Sequence, residues 1–375
     1  MSKILLTHTT QGDGRVCGSA ALEFMALAVR LAGLFHDLGK GTEGFNDKLR
    51  RAVAQKLERG GANDPIRHEL LSVMLMDVED PEAFIEELAS ELTIATAFEA
   101  RRAWLASKET RASLERAMEQ TISIEGDHTP TDFDLVYFMD HLSLNKREKW
   151  QQNPFWMSVM WLVMTHHKLP SGAWNDRRQH FTALASRHLA VKRVDGRGVE
   201  IANRNRLSKF LKMPSGDQPW LHQEWARNVS MTIRSLKALR AKHPEFESEM
   251  FTCDGLTLGF GVATPWLSTL SRVGRLCLVM GDYEASCDAS KQECKINPEG
   301  KLIANTKQVG GKSVLADFLH VHLVKVGDHA PMILRQMFIS QSQEFFRLAT
   351  SRNARSRCLW LSLWWRLTVN SLGRR

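Results

Sequence analysis

The sequence predicts an all-α protein. Three observations carry that expectation. Apolar residues recur at helical rather than alternating spacing, the apolar stretches are bounded by residues that start and stop helices, and there is neither an internal repeat nor much strand pattern. With 375 residues, 43% hydrophobic and 25% charged, the chain has an ordinary globular composition and enough length for a large core or two modest ones.

Taken in order, "ALEFMALAVRLAGLF" has apolar residues nearly all round the helical axis and reads as a buried helix ending at "HDLGKG". "PIRHELLSVMLM" begins with Pro65, a residue suited to a helix start, and puts Ile66, Leu70, Val73 and Met74 on one face. Residues 80–120 are charged and helical, as expected of an exposed insertion that extends to about residue 145 and includes the loop "SIEGDHTPTDFD". "NPFWMSVMWLVMTHHKLPSG" is a second buried helix, stopped by Pro170 and Gly172, and residues 171–200 read as irregular and basic. Helices are expected again near 203–213, 219–242, 264–290 and 314–347. The organisation predicted is a segment 1–20, one helical domain over 20–349, and a tail over 350–375.

The tail differs in style. Six of its residues are arginine and none is acidic, so it alone accounts for six of the eight net positive charges. It also holds three of the 11 tryptophans. An amphipathic partner helix and an out-of-frame ending both fit that composition. The remainder is close to neutral, so overall charge is a weak argument for a polyanionic partner. Six scattered cysteines with no CxxC pair exclude a zinc knuckle or disulfide framework and suit a reducing cytoplasm. No apolar run approaches the roughly 18–20 residues of a membrane span. The opening "MSKILLTHTTQGDGRV" lacks the apolar core of a secretory signal.

Four stretches carry chemistry: His36-Asp37 in "LFHDLGK", His68 in "IRHELLS", His166-His167 in "MTHHKLP" and Asp282 in "LVMGDYEAS". Any one of them alone is an ordinary feature of a core or a surface. Each, however, follows or lies within an apolar helix, so all can converge on one bundle interior, where an isolated imidazole or carboxylate needs partners. Imidazoles plus carboxylates suit manganese, iron, cobalt, nickel or zinc. Six such side chains suffice for two ions with Asp37 as the bridge, the usual arrangement for in-line attack at phosphorus.

The order H-D…K…H…HH…D on a helical bundle resembles the HD metal-dependent phosphohydrolases. "LFHDLGKGTEGFNDKL", "RHELLS", "THHKLP", "GDYEAS" and "LADFLHVHLVKVGDHAPMIL" are most similar to the HD nuclease of the CRISPR-associated helicase-nuclease of type I systems, subtype I-F. The resemblance covers roughly residues 20–340. It implies that His36, Asp37, His68, His166, His167 and Asp282 bind two divalent transition-metal ions, and that Lys40 neutralises the scissile phosphate. It implies that Ser286 contacts substrate or supports a ligand, and that single-stranded DNA runs past some of Arg67, Lys168, Arg177 and Arg178. The implied partners are an RNA-guided surveillance complex and a separate helicase chain, with no membrane.

The chain departs from that pattern in three places. The helix before His36 has no histidine, leaving His8 as the sole upstream candidate and the first ion's shell incomplete. The 35 residues before the HD pair are too few for the small ferredoxin-like domain of the I-F relatives and do not read as its strands. A helicase P-loop is not expected either: "VGGKS" at 309–313 lacks the first glycine of a Walker A loop, position 306 being threonine, and is expected in a loop before a helix. The sequence therefore leaves open a nucleotide phosphohydrolase of the same superfamily, or a truncated remnant acting only as a binding module.

Overall fold

The structure, a computed structural model, describes residues 15–54, 64–90, 94–122, 149, 152–167, 191–194, 198–201, 204–244, 270–291, 301–309 and 312–350. The expectations for His8, Lys168, Arg177, Arg178 and the tail beyond Thr350 lie outside these residues. The fold is an all-α bundle with two small β-hairpins. Its helices are α1 (Arg15–Phe35), α2 (Glu43–Val53), α3 (His68–Met76), α4 (Pro81–Ala89), α5 (Ile94–Leu105) and α6 (Lys108–Ile122). They continue as α7 (Pro154–Thr165), α8 (Arg204–Phe210), α9 (Gln223–Lys242), α10 (Arg275–Lys291) and α11 (Leu319–Thr350).

The apolar α1 is the axis of the bundle, packed against α7, α9, α10 and α11. Its approach to α11 needs two glycines. A Cβ on Gly33 would stand 2.8 Å from the backbone nitrogen of Gly327, and one on Gly327 would stand 2.8 Å from Leu34 Cγ. Side chains at either position would force the helices apart, and with them the residues each carries to the interior.

An aromatic cluster fixes the far end of α1. Phe35 packs edge-on against Trp156 of α7 and Trp225 of α9, with ring centroids 5.7 and 5.4 Å away. The Trp225 indole donates to the Leu34 carbonyl at 2.8 Å, satisfying one of the acceptors that a helix end leaves open. Phe84 of α4 and Phe98 of α5 join the same cluster. Residues 80–120 are thus a cover with a buried apolar face and not a fully exposed insertion.

Two helices start or stop differently from the sequence expectation. α3 begins at His68, three residues after Pro65, and everything from Glu69 to Met76 is buried. α7 is capped by Asn153, whose side chain accepts from the Trp156 N–H at 2.9 Å, and ends at Thr165, before the histidine pair.

The hairpins are the larger correction. Strands β1 (Val191–Val194) and β2 (Gly198–Ile201) pair antiparallel inside the segment expected to be irregular. Strands β3 (Ile303–Val309) and β4 (Lys312–Phe318) pair antiparallel where a helix was expected from residue 314. "VGGKS" therefore spans the connection of a hairpin, with a strand on both sides. A helix N-terminus, which a phosphate-binding loop requires, does not follow it.

Candidate metal centre

The site forms where α1 stops. The α-helical ladder ends with the His36 N–H donating to the Ala32 carbonyl, Asp37 leaves the helical conformation at φ −111° and ψ 14°, and a 3-10 turn follows over Leu38–Gly41. Ser72 of α3 clasps this turn. Its hydroxyl accepts from the Gly39 N–H at 2.9 Å and lies 2.9 Å from the carbonyls of both His36 and His68. A Cβ on Gly39 would fall 2.2 Å from the His68 carbonyl oxygen, so only glycine permits this contact. The glycines of "GKG" are buried against protein, Gly39 on α3 and Gly41 on Met213.

Asp37 is fully buried, and its two oxygens face different partners. Oδ1 lies 3.1 Å from His68 Nε2. Oδ2 lies 2.6 Å from Lys40 Nζ, 3.2 Å from His36 Nε2 and 3.4 Å from His322 Nε2. Asp282 of α10 closes the second side, with Oδ1 3.1 Å from His322 Nε2 and 3.9 Å from His36 Nε2. Two sets of potential ligand atoms result, each within a span of 4.8 Å: Asp37, His68, His166 and His167, and His36, Asp37, Asp282 and His322. Asp37 belongs to both.

The imidazoles are oriented from behind. His36 Nδ1 donates to the Gly33 carbonyl at 2.8 Å, and His166 Nδ1 donates to the Val163 carbonyl at 2.7 Å. Because a carbonyl can only accept, each ring holds its proton on Nδ1 and aims Nε2 at the carboxylates. His68 Nδ1 lies 3.5 Å from Glu69 Oε2. Glu69 is in turn gripped by Arg67, whose Nε and Nη2 both reach Oε1, at 2.9 and 2.5 Å. Arg67, expected on a DNA-binding groove, forms this pair, because a fully buried carboxylate needs a charged partner.

Electrostatics separates the residues into two kinds. Burial opposes ionisation of Asp37, but His36, Lys40 and His68 outweigh it and hold the carboxyl well below the usual range. Burial likewise opposes the charge of Asp282, and the nearby rings of His322 and His36 reverse that and lower its pKa. Burial would lower His36, yet Asp37 and Asp282 push it up to about 10. His166 is driven well below its ordinary value by burial and then by His167. His167 keeps one edge open to solvent, but desolvation of the rest of its ring takes it down to about 4. The histidine pair is therefore neutral near pH 7, with lone pairs available.

This chemistry fits metal ions. His36 Nε2, both oxygens of Asp37, and Nε2 of His68, His166 and His322 are all buried without a hydrogen-bond partner, although they crowd into ion-pairing distance of one another. Buried polar atoms left in that condition are costly, and a shared cation relieves several of them together. The carboxylates and neutral imidazoles are the donor types that divalent transition metals take.

The structure thus brings together all six side chains picked out in the sequence, and adds His322. That histidine sits on α11 in the stripe of Leu319, Leu323 and Val326, and is wholly buried. A histidine inside an apolar stripe was the available signal. It supplies the fourth member of the His36 set. The other assigned residues lie at the same place: Lys40 Nζ is 3.2 Å from Asn305 Oδ1, and the Asn305 amide donates to Ser286 Oγ at 3.3 Å. Asn305, on β3, had no signal in the sequence.

The fold and site define an all-α bundle whose clustered His and Asp residues could hold metal. No protein-family model matches the chain. Over 312 residues, 82% of its length, it is 26% identical to the CRISPR-associated nuclease/helicase Cas3 subtype I-F/YPEST of Pseudomonas aeruginosa (strain UCBPP-PA14). The chain spans 23% of that relative's length. Among the described residues, no helix is long and apolar enough to cross a membrane.

Proposed function

We propose that the chain is a metal-dependent phosphodiesterase that cuts single-stranded DNA with two divalent ions, acting as a nuclease of CRISPR type I interference. The observation that carries this reading is the pair of four-residue ligand sets sharing Asp37. His36, Asp37, Asp282 and His322 would hold one ion, and Asp37, His68, His166 and His167 the other. Bound ions would acidify an attacking water and stabilise charge on the phosphate oxygens.

The protein's own groups do the rest. Gly33 and Val163 fix the tautomers of His36 and His166, and Glu69 backs His68. Lys40 brings a positive charge to the same place, where a phosphodiester needs neutralising. The set containing His167 is the more open of the two, so substrate approaches from that side. Similarity to a protein named as a CRISPR-associated nuclease/helicase supports the DNA substrate. In that setting an RNA-guided surveillance complex and a helicase expose the single strand.

The test is degradation of a labelled single-stranded DNA by the purified chain with manganese, with nickel and without metal, beside Asp37→Ala. Metal-dependent cleavage that disappears in the variant is expected. Equal cleavage by the variant would remove the shared carboxylate from the mechanism.

A further inference from the structure

We propose that Asn305 is a positioning residue for phosphate at this site: its side-chain amide is the seat that holds the Lys40 ammonium and the Ser286 hydroxyl toward substrate. This rests on the reading of the centre as a metal-dependent phosphohydrolase.

Three independent features of the structure support it. The first is backbone geometry. Strand β3 pairs Ile303 with Phe318, Asn305 with Asp317 and Thr306 with Leu315, so the register slips on both sides of Asn305. Such a bulge re-aims one side chain out of the alternation of its strand, and bulges recur beside functional sites for that reason.

The second is the hydrogen-bond pattern. Asn305 Oδ1 accepts from Lys40 Nζ at 3.2 Å while Nδ2 donates to Ser286 Oγ at 3.3 Å. An ammonium can only donate, so the amide orientation is fixed by Lys40. One side chain thereby joins three elements: the turn after α1, strand β3 and helix α10.

The third is a clamp that sets the distance between them. Asn46 of α2 donates through Nδ2 to the Lys40 carbonyl at 2.7 Å and accepts through Oδ1 from the Ile303 N–H at 2.9 Å. The Lys40 backbone and the start of β3 are held by one buried side chain. The contact between Lys40 and Asn305 is therefore built into the framework.

The consequence concerns Lys40. Its ammonium has two hydrogen-bonding partners, Asp37 Oδ2 at 2.6 Å and Asn305 at 3.2 Å, and lies 5.8 Å from the centre of the Phe45 ring. Asp37 Oδ2 also belongs to a metal-ligand set, and a carboxylate given over to a divalent cation holds an ammonium less strongly. Asn305 is the partner that remains. It keeps Lys40 from swinging away and leaves its other protons free for a phosphate oxygen.

The experiment uses the full chain loaded with manganese, titrated with inorganic phosphate and, in parallel, assayed on single-stranded DNA. Asn305→Ala is expected to leave manganese affinity unchanged and to weaken phosphate binding and cleavage by roughly tenfold, the worth of a hydrogen bond to a charged group. Asn305→Leu, which keeps the volume on the hairpin, should give the same loss. In a Lys40→Ala background Asn305→Ala should cost clearly less than in the wild type, since the share that acts through Lys40 is already gone and only the Ser286 contact is left to lose. An unchanged phosphate affinity, or the same loss with and without Lys40, would overturn the proposal. A wild-type chain that binds manganese and phosphate but cuts no DNA would defeat the nuclease reading alone, with the phosphate cycle still deciding on Asn305. A wild-type chain that binds no manganese would defeat both.

Discussion

Asp37 is the residue on which the site turns, because each of its oxygens answers to a different group of imidazoles. Its neighbours in sequence made it legible: an HD pair at the end of an apolar helix, a histidine opening another, a histidine pair closing a third. Those residues could be found because each motif abuts a helix end, where periodicity is strong. His322 could not be found in the same way. It lies inside an apolar stripe, stands far along the chain from its partners, and is brought to them by the packing of α11 on α1 and α10. Arg67, read from the sequence as a substrate contact, has a buried partner in Glu69 that the sequence did not reveal. That partner gives a testable consequence. Glu69→Gln should lower metal affinity by about 10- to 100-fold, the usual effect of removing a carboxylate behind a metal-binding histidine. A calorimetric manganese titration checks it, and unchanged affinity would show that Glu69 serves Arg67 alone.

At the level of elements, the helices were readable and the hairpins were not. The runs in α1 and α7 are long enough for a helical period to declare itself. "VLADF", by contrast, is too short for period to separate strand from helix, and it continues into the real helix α11. The error mattered, since β3 carries Asn305 into the site. The turn after α1 is the element under most constraint. Gly39→Ala would place a methyl against the His68 carbonyl, 2.2 Å away, and push the HD turn off α3. We expect a loss of about 1–3 kcal/mol in denaturant unfolding, typical of overpacking a closed site, together with weaker metal binding. Full stability in that variant would show that the turn can relax without cost.

For the whole molecule, the bundle holds several buried polar atoms that no protein group satisfies. On the proposed reading, metal binding and folding are linked. Saturating manganese should raise the melting temperature, since at about a hundred times Kd a single site adds about 2.7 kcal/mol to the folded state. A chelator should reverse the shift, and Asp37→Ala should abolish most of it. A melting temperature indifferent to metal would mean that the cluster is satisfied by other means. The fold class followed from composition and periodicity, because an all-α bundle with an apolar central helix writes its core directly into the sequence. Which helix ends would meet was a property of the packed molecule, set by the Gly33–Gly327 approach and the aromatic cluster around Phe35.

The most direct measurement is the number of manganese ions bound per chain, determined on the full protein and on His322→Ala. The account predicts two for the wild type and one for the variant, whose remaining ion is held by Asp37, His68, His166 and His167. A wild type that binds only one ion, or a variant that still binds two with undiminished affinity, would contradict the shared two-ion centre.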